Sequence, residues 1–477
     1  MVIIMNIKKF FINHKYLLLF ISFVLVFFFV YGINIFNNNI WYDEAYSMIV
    51  NRYSFTKIIS FIIKDTAPPL FAISLKVFSS VFGSKLWVVR ILPLSIFLFN
   101  FYLAFFPIRK IYNIKVSIIF SLLILTSQIS SFAALEIRNY SFSFTFMLAS
   151  IVYYLLFNKE KKNKYLFLYI IFSLLAAYSH NYCYIGILLF VIINIISSII
   201  KKNKKILISS IIILILCLPW ISIIISQSNE ISSNFWITKP TMYTFIYSIQ
   251  YVLSNISIIN YLLIILLLIS SVICIIKKQK NILLPIIISL GTLILFYIYS
   301  YFKTPMFIPK YITTMAGILY LSLAIILSNN KYCYIVFLLL LIYPFYLNIC
   351  NERLQNDDTS INEMIKLVKD SGTNIFYHEG EFSVGMSEYY FPNSIHYIKE
   401  GMPMVVKKPE IFGNIKYINS INSIDEDSFI ILYQGREDNY SIQAYDYCLK
   451  TSKHFNNYYA GSFNLALFKG CKKELGN

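Results

Sequence analysis

Polar residues are sparse over the first 350 positions, and they fall at intervals that divide the chain into apolar runs of about twenty residues. Each run is long enough to cross a bilayer as a helix. The runs lie at roughly 16–36, 86–107, 115–134, 139–157, 165–180, 182–200, 206–226, 258–276, 282–301, 311–328 and 332–350. A further segment, 68–82, opens with Pro68-Pro69, closes at Gly83 and carries Ser74, Lys76, Ser79 and Ser80. It is short for a span and suits a helix lying at the interface, with proline at its start and glycine past its end.

The pattern changes at Glu352. Ser360-x-x-Glu363 precedes the apolar positions Ile361, Met364, Ile365 and Val368, which predicts a capped helix closed by Gly372. Residues 374–377, 429–433 and 463–468 predict strands, and 441–454 a helix. The expected fold class is a polytopic α-helical membrane protein of about eleven transmembrane helices with a juxtamembrane outer segment, plus a small C-terminal α/β extracytoplasmic domain. The expected boundaries are 1–351 for the membrane domain, with the outer segment at about 37–85, and 352–477 for the extracytoplasmic one.

Composition agrees: 58% of the 477 residues are hydrophobic and only 13% charged, against about 25% charged in soluble domains. The net charge of +18 would suggest nucleic acid as a partner in a soluble protein. Its distribution excludes that reading. Residues 1–351 hold 28 Lys/Arg against 6 Asp/Glu, an excess of 22 positive charges, whereas 352–477 hold 13 against 17, an excess of 4 negative ones. The basic excess therefore belongs to the membrane part, where it sets orientation and meets anionic lipid.

Loop charges also fix a topology. With 68–82 lying flat, the clusters at Lys8/Lys9/Lys15, Arg109/Lys110/Lys115, Lys159–Lys164, Lys201–Lys205, Lys277–Lys280 and Lys331 all fall on the cytoplasmic side. The N-terminus is then cytoplasmic, and the C-terminal domain extracytoplasmic. Asp43, Glu44, Asp65, Glu136 and Glu230 land outside, while Glu160 sits among inner lysines. Acid depletion from inner loops explains part of that split. A site explains why Arg138, His180 and Lys310 gather on the same face. The seven cysteines show no CxxC spacing, and Cys448 with Cys471 could pair in the tail.

The candidate chemistry centres on Trp41-Tyr42-Asp43-Glu44, directly after the first span. Adjacent carboxylates there are costly unless they face water, a cation or a substrate. A carboxylate at a membrane surface can take the proton of an attacking hydroxyl. Tyr42, Tyr46 and Tyr140 sit where aromatic rings would line a sugar site. His180 is most simply a hydrogen-bonded interface group. The sequence specifies no cofactor; a divalent metal held by His180 with Glu44 or Glu136 stays open.

In order along 40–315, Asp43-Glu44, Asp65-x-x-Pro68-Pro69-Leu70, Arg90-x-x-Pro93, Glu136-x-Arg138-x-Tyr140 and Pro309-Lys310-Tyr311 resemble the GT-C glycosyltransferases. The nearest groups are the protein O-mannosyltransferases, the aminoarabinose transferases of lipid A and the bacterial RgtA/B/C/D-like proteins. The resemblance implies an enzyme taking sugar from a polyprenyl-phosphate donor to a glycan, lipid or protein acceptor of the cell envelope, on the outer face of the plasma membrane. It implies Asp43 as general base assisted by Glu44, with Arg138, Lys310 and Glu136 at the donor phosphate. Asp65, Tyr42, Tyr140 and His180 are implied at the substrate. Two positions depart from the pattern: Ala67 stands where many relatives have histidine, and Lys310 where arginine is usual. Lysine keeps the charge but not the forked hydrogen bonding.

Two other readings share the many-helix plan. A lipid-linked sugar flippase or transporter would place charges near mid-membrane on repeated, broken helices. Here the acids cluster at one surface and no repeat is visible. An oligosaccharide polymerase or ligase would use a large outer loop between late helices. This chain has its longest outer elements after the first span and at its C-terminus.

Overall fold

The structure is a computed structural model. It describes residues 2–470 except 66, 128, 232–236, 254–256, 277–279, 330–340, 356–358, 379–380, 401–410, 420, 425, 427, 435–446 and 458–460. Two compact units emerge: Met1–Ile35 with Ile62–Cys350, and Phe36–Phe61 with Asn351–Asn477.

The first unit is a helical bundle. Among the described residues six helices are long and apolar enough to cross a membrane: Leu86–Ile111, Tyr140–Glu160, Asn181–Ile200, Lys204–Gln227, Ile282–Phe302 and Pro309–Ser328. The run at 115–134 is not one straight helix. It breaks at Ser127 into Ile114–Thr126 and Ile129–Leu135, bent by 84°. The hydroxyls of Ser127 and Tyr320 both donate to the Val252 carbonyl, which holds the break in place. Counting that pair gives seven spans. His14–Val30, Leu70–Phe82 and Asn163–Ala177 are shorter apolar helices, and the expected 332–350 falls partly on 330–340, outside the described residues.

Two spans form the bundle's interior. The whole 18-residue apolar window of Tyr140–Glu160 is buried, and Ser141, Ser143, Thr145 and Ser150 of that helix are fully buried; for Pro309–Ser328 the buried share of the window is 89%. Small and hydroxyl residues on a membrane helix favour a place against other helices over one facing lipid. Gly317 permits the close approach of the two, since a Cβ there would lie 2.9 Å from Phe144 Cε1. Both helices begin beside His180, so Tyr140 and Lys310 open them at the same end of the bundle.

The second unit is an α/β domain around a six-stranded sheet of order β3-β2-β1-β4-β6-β5. Its strands are β1 Ile375–His378, β2 Ile395–Lys399, β3 Asn414–Ile418, β4 Ser428–Gln434, β5 Tyr447–Asn457 and β6 Gly461–Gly470. β3, β2, β1 and β4 are parallel, while β6 runs antiparallel to both β4 and β5. Alternation puts Phe376 and Ile430 on one face, with Ile361, Met364 and Val368 of the helix Thr359–Ser371. Ile375, Tyr377, Phe429 and Ile431 form the other face. The helix stops at Gly372, whose φ of +70° suits glycine.

The three expected strands are present, and two more, β2 and β3, join them. The helix expected at 441–454 is corrected: from Tyr447 the chain is β5, paired with β6 residue by residue except for a register shift between Leu449 and Thr451. Cross-strand pairing outweighs local propensity there. Residues 441–446 lie outside the described set, as does Cys471 of the suggested disulfide.

Candidate active site

In the bundle, the 84° bend turns the helix Ile129–Leu135 so that Glu136-Ile137-Arg138 forms a tight link to the helix Tyr140–Glu160. The Arg138 amide donates to the Glu136 carbonyl at 2.7 Å, and the Asn139 side-chain amide donates to the Ser179 carbonyl at 2.6 Å. That second bond ties the link to the turn preceding the helix Asn181–Ile200. The turn in turn receives the Leu70 amide on the Tyr178 carbonyl at 3.0 Å, which anchors the helix Leu70–Phe82.

His180 stands at the centre of this assembly. It is buried and caps the helix Asn181–Ile200, its Nδ1 accepting the Tyr182 amide at 3.1 Å. Its neutral form therefore carries the proton on Nε2. Its ring lies 6.2 Å from that of Tyr140 and 5.3 Å from that of Tyr311. Arg138 and Lys310 both act electrostatically on the imidazole. Two cations thus share a small region with a histidine whose orientation is set by a helix cap.

Glu136 is buried. Together with Lys310 it lies within electrostatic reach of Tyr251, on the helix Met242–Leu253. Burial pushes the Tyr251 phenol up to about 12; Glu136 adds to the rise and Lys310 opposes it. The phenol is therefore a neutral hydrogen-bonding group throughout the physiological range. The bundle brings together five expected residues: Glu136, Arg138, Tyr140, His180 and Lys310. Sequence reasoning missed Tyr251, whose only signal was a tyrosine on a short amphipathic helix. Asp65 lies, half-buried, in the turn after the helix Phe55–Ile63. The carbonyls of Ile62 and Ile63 there accept the Gln227 side-chain amide, each at 3.2 Å. Arg90, also buried, lies on the helix Leu86–Leu103.

The acid pair belongs to the other unit. Tyr42-Asp43-Glu44 opens the helix Tyr42–Val50, where acids in the first turn complement the helix dipole. The two carboxylates do different things. Glu44 is fully buried, and its Oε2 accepts the Trp41 amide at 3.0 Å, the glutamate half of a capping box. Asp43 is half-buried, and its carbonyl accepts the Ser47 hydroxyl at 3.0 Å. Tyr42 packs on Gly385, where a Cβ would approach its ring to 3.0 Å. Among the described residues no group of three or more His, Cys, Asp or Glu side chains is disposed to hold a metal ion.

The fold is that of ArnT from Cupriavidus metallidurans. Its apo structure matches with a TM-score of 0.64 at 11% identity, over 95% of this chain and 98% of that one. The structure bound to undecaprenyl phosphate matches with a TM-score of 0.62 at 11% identity, over 97% and 99%. Residues 66–223 match the family model of dolichyl-phosphate-mannose-protein mannosyltransferase. No curated protein matches the chain in sequence. The family match covers about a third of the chain, and the likeness to ArnT is one of fold.

Proposed function

We propose that the protein moves a sugar from a polyprenyl-phosphate donor to a hydroxyl of a cell-envelope acceptor, on the extracytoplasmic face of the plasma membrane. The observation that carries this reading is the pair of cations, Arg138 and Lys310, acting on one imidazole at one end of two buried helices. Breaking the bond between the sugar and the donor phosphate leaves a phosphate monoester with added negative charge. Fixed cations stabilise that charge as it forms, and a guanidinium can hold two phosphate oxygens at once. ArnT, bound to undecaprenyl phosphate with the same fold, supports a lipid phosphate as the donor's carrier. The outward assignment rests on the loop charges.

Asp43 is the general base in this scheme. It takes the acceptor proton as the acceptor oxygen bonds to the sugar, while the electron pair of the broken bond leaves with the lipid phosphate. Glu44, committed to the Trp41 amide, holds the helix start that presents Asp43. Asp43→Asn is expected to lower transfer from a polyprenyl-phosphate sugar by about a hundred- to ten-thousand-fold. Undecaprenyl phosphate should still bind. Near-normal turnover of that variant would overturn the assignment.

A further inference from the structure

The α/β unit contains a polar string, buried from Glu388 inward and reached from the surface by Arg52, that the scheme above does not use. Arg52 Nη1 donates to Glu388 Oε1 at 3.0 Å. The other carboxylate oxygen, Oε2, lies 3.1 Å from His396 Nε2, and His396 Nδ1 lies 3.0 Å from His378 Nε2. Both imidazoles are fully buried, and the Glu388 side chain is 8% exposed. An ionised carboxylate only accepts, so His396 presents Nε2–H to Glu388 and accepts from His378 Nε2–H on its Nδ1. Every hydrogen bond in the string then points toward Glu388. Gly413, at φ +54°, keeps space for it: a Cβ there would lie 3.0 Å from Glu388 Oε2.

What the string holds is the segment bearing Asp43. Arg52 follows the helix Tyr42–Val50, and its guanidinium also meets the Tyr389 carbonyl at 3.4 Å. At the other end of the same helix, the Ile40 amide donates to Tyr390 Oη at 3.1 Å, and that hydroxyl donates to the Asn38 carbonyl at 2.9 Å. Both clamps belong to one helix, Glu381–Tyr390, which the histidines of β1 and β2 fix to the sheet.

We propose that Arg52, Glu388 and Tyr390 are positioning residues for the transfer reaction, the sheet domain setting the orientation of the helix that carries Asp43 through the His378–His396–Glu388 string. The proposal rests on Asp43 as base, and its test separates the two claims. Hydrogen exchange of residues 44–50 is measured on the full-length protein in lipid nanodiscs for Arg52→Met, Glu388→Gln, Tyr390→Phe and Arg52→Lys. Transfer kinetics are measured beside it with a polyprenyl-phosphate sugar.

In Arg52→Met and Tyr390→Phe, exchange of 44–50 is expected to rise about tenfold or more while β1, β2 and β4 stay protected. kcat is expected to fall about 10- to 100-fold with the donor KM within about twofold. Arg52→Lys should restore most of the protection and part of kcat. Unchanged exchange at 44–50 in both Arg52→Met and Tyr390→Phe would overturn the proposal, as would a loosened helix with unchanged kcat. Glu388→Gln is read only if β1 and β2 remain protected, and the other two variants decide if they do not. An active Asp43→Asn would instead remove the base assignment and leave the exchange result standing.

Discussion

The Tyr182 amide donates to His180 Nδ1 across 3.1 Å, so the imidazole on which Arg138 and Lys310 act is also the N-cap of a membrane helix. A side-chain cap contributes about 1 kcal/mol. His180→Ala is expected to lower stability by about that amount in thermal unfolding, whereas His180→Asn or His180→Ser keeps an acceptor for the amide and stays close to wild type. If His180→Asn is as unstable as His180→Ala, the cap is not what the histidine supplies.

Arg138 and Lys310 differ in what a substitution removes. Arg138→Gln deletes a forked donor and is expected to weaken undecaprenyl phosphate binding by about 1.5–3 kcal/mol, roughly 10- to 150-fold. Lys310→Arg keeps the charge and should bind within a few-fold of wild type, while Lys310→Met should lose affinity. Titration of the lipid phosphate into purified protein checks all three. An unchanged affinity in Arg138→Gln would detach that residue from the donor phosphate.

Gly317 sets how closely the two interior helices approach. An added Cβ would lie 2.9 Å from Phe144 Cε1 and 3.2 Å from the Phe144 carbonyl oxygen. The ring can yield a few tenths of an ångström, but the backbone cannot. Gly317→Val is expected to cost about 1–3 kcal/mol through overpacking, and Gly317→Ala less. Detergent thermal-shift measurements would reveal the order; equal stability of all three proteins would mean the helices separate freely.

His378 makes the sheet domain acid-sensitive. Burial, with the neighbouring His396 adding to it, holds its imidazole well below the usual histidine range. Ser387 of the helix Glu381–Tyr390 and Phe376 of the same strand also lie against it. The unfolded chain takes up a proton below about pH 6.5 that the folded chain refuses. The stability this group contributes is therefore intact above that pH and falls below it, by at most about 1.4 kcal/mol per pH unit. Unfolding between pH 7.5 and 5, followed by exchange at β1 and β2, should show the decline in the wild type and a flatter profile in His378→Asn. A decline of equal slope in both would place the effect on another group.

The apolar runs made the bundle legible because membrane helices satisfy their own backbone and need only length and composition. The same logic does not reveal the break at Ser127, which depends on carbonyl and hydroxyl partners from two distant helices. In the tail, β4 and β6 announce themselves through β-branched and aromatic residues. β5, with Lys450, Lys453 and His454 among its residues, looks unlike a strand until β6 is beside it. Arg138, His180 and Lys310 were visible as charged or titratable groups at one end of their helices. Tyr251, on which Glu136 and Lys310 act, was not, since 39 tyrosines offer no contrast. Least legible was the string from Arg52 to His378. Two of the five histidines meet there only because β1 and β2 pair in parallel register, with Phe376 opposite His396.

The clamps on the acidic helix span 336 residues from Arg52 to Glu388 and 352 from Asn38 to Tyr390. During synthesis the helix Tyr42–Val50 is made early, and its anchors do not exist until the bundle's sequence has been translated. At roughly 5–20 residues per second, that delay is about 17–70 seconds. The helix Tyr42–Val50 thus gains its second clamp only once Tyr390 has been made, so a product stalled before Glu388 carries that helix without either anchor.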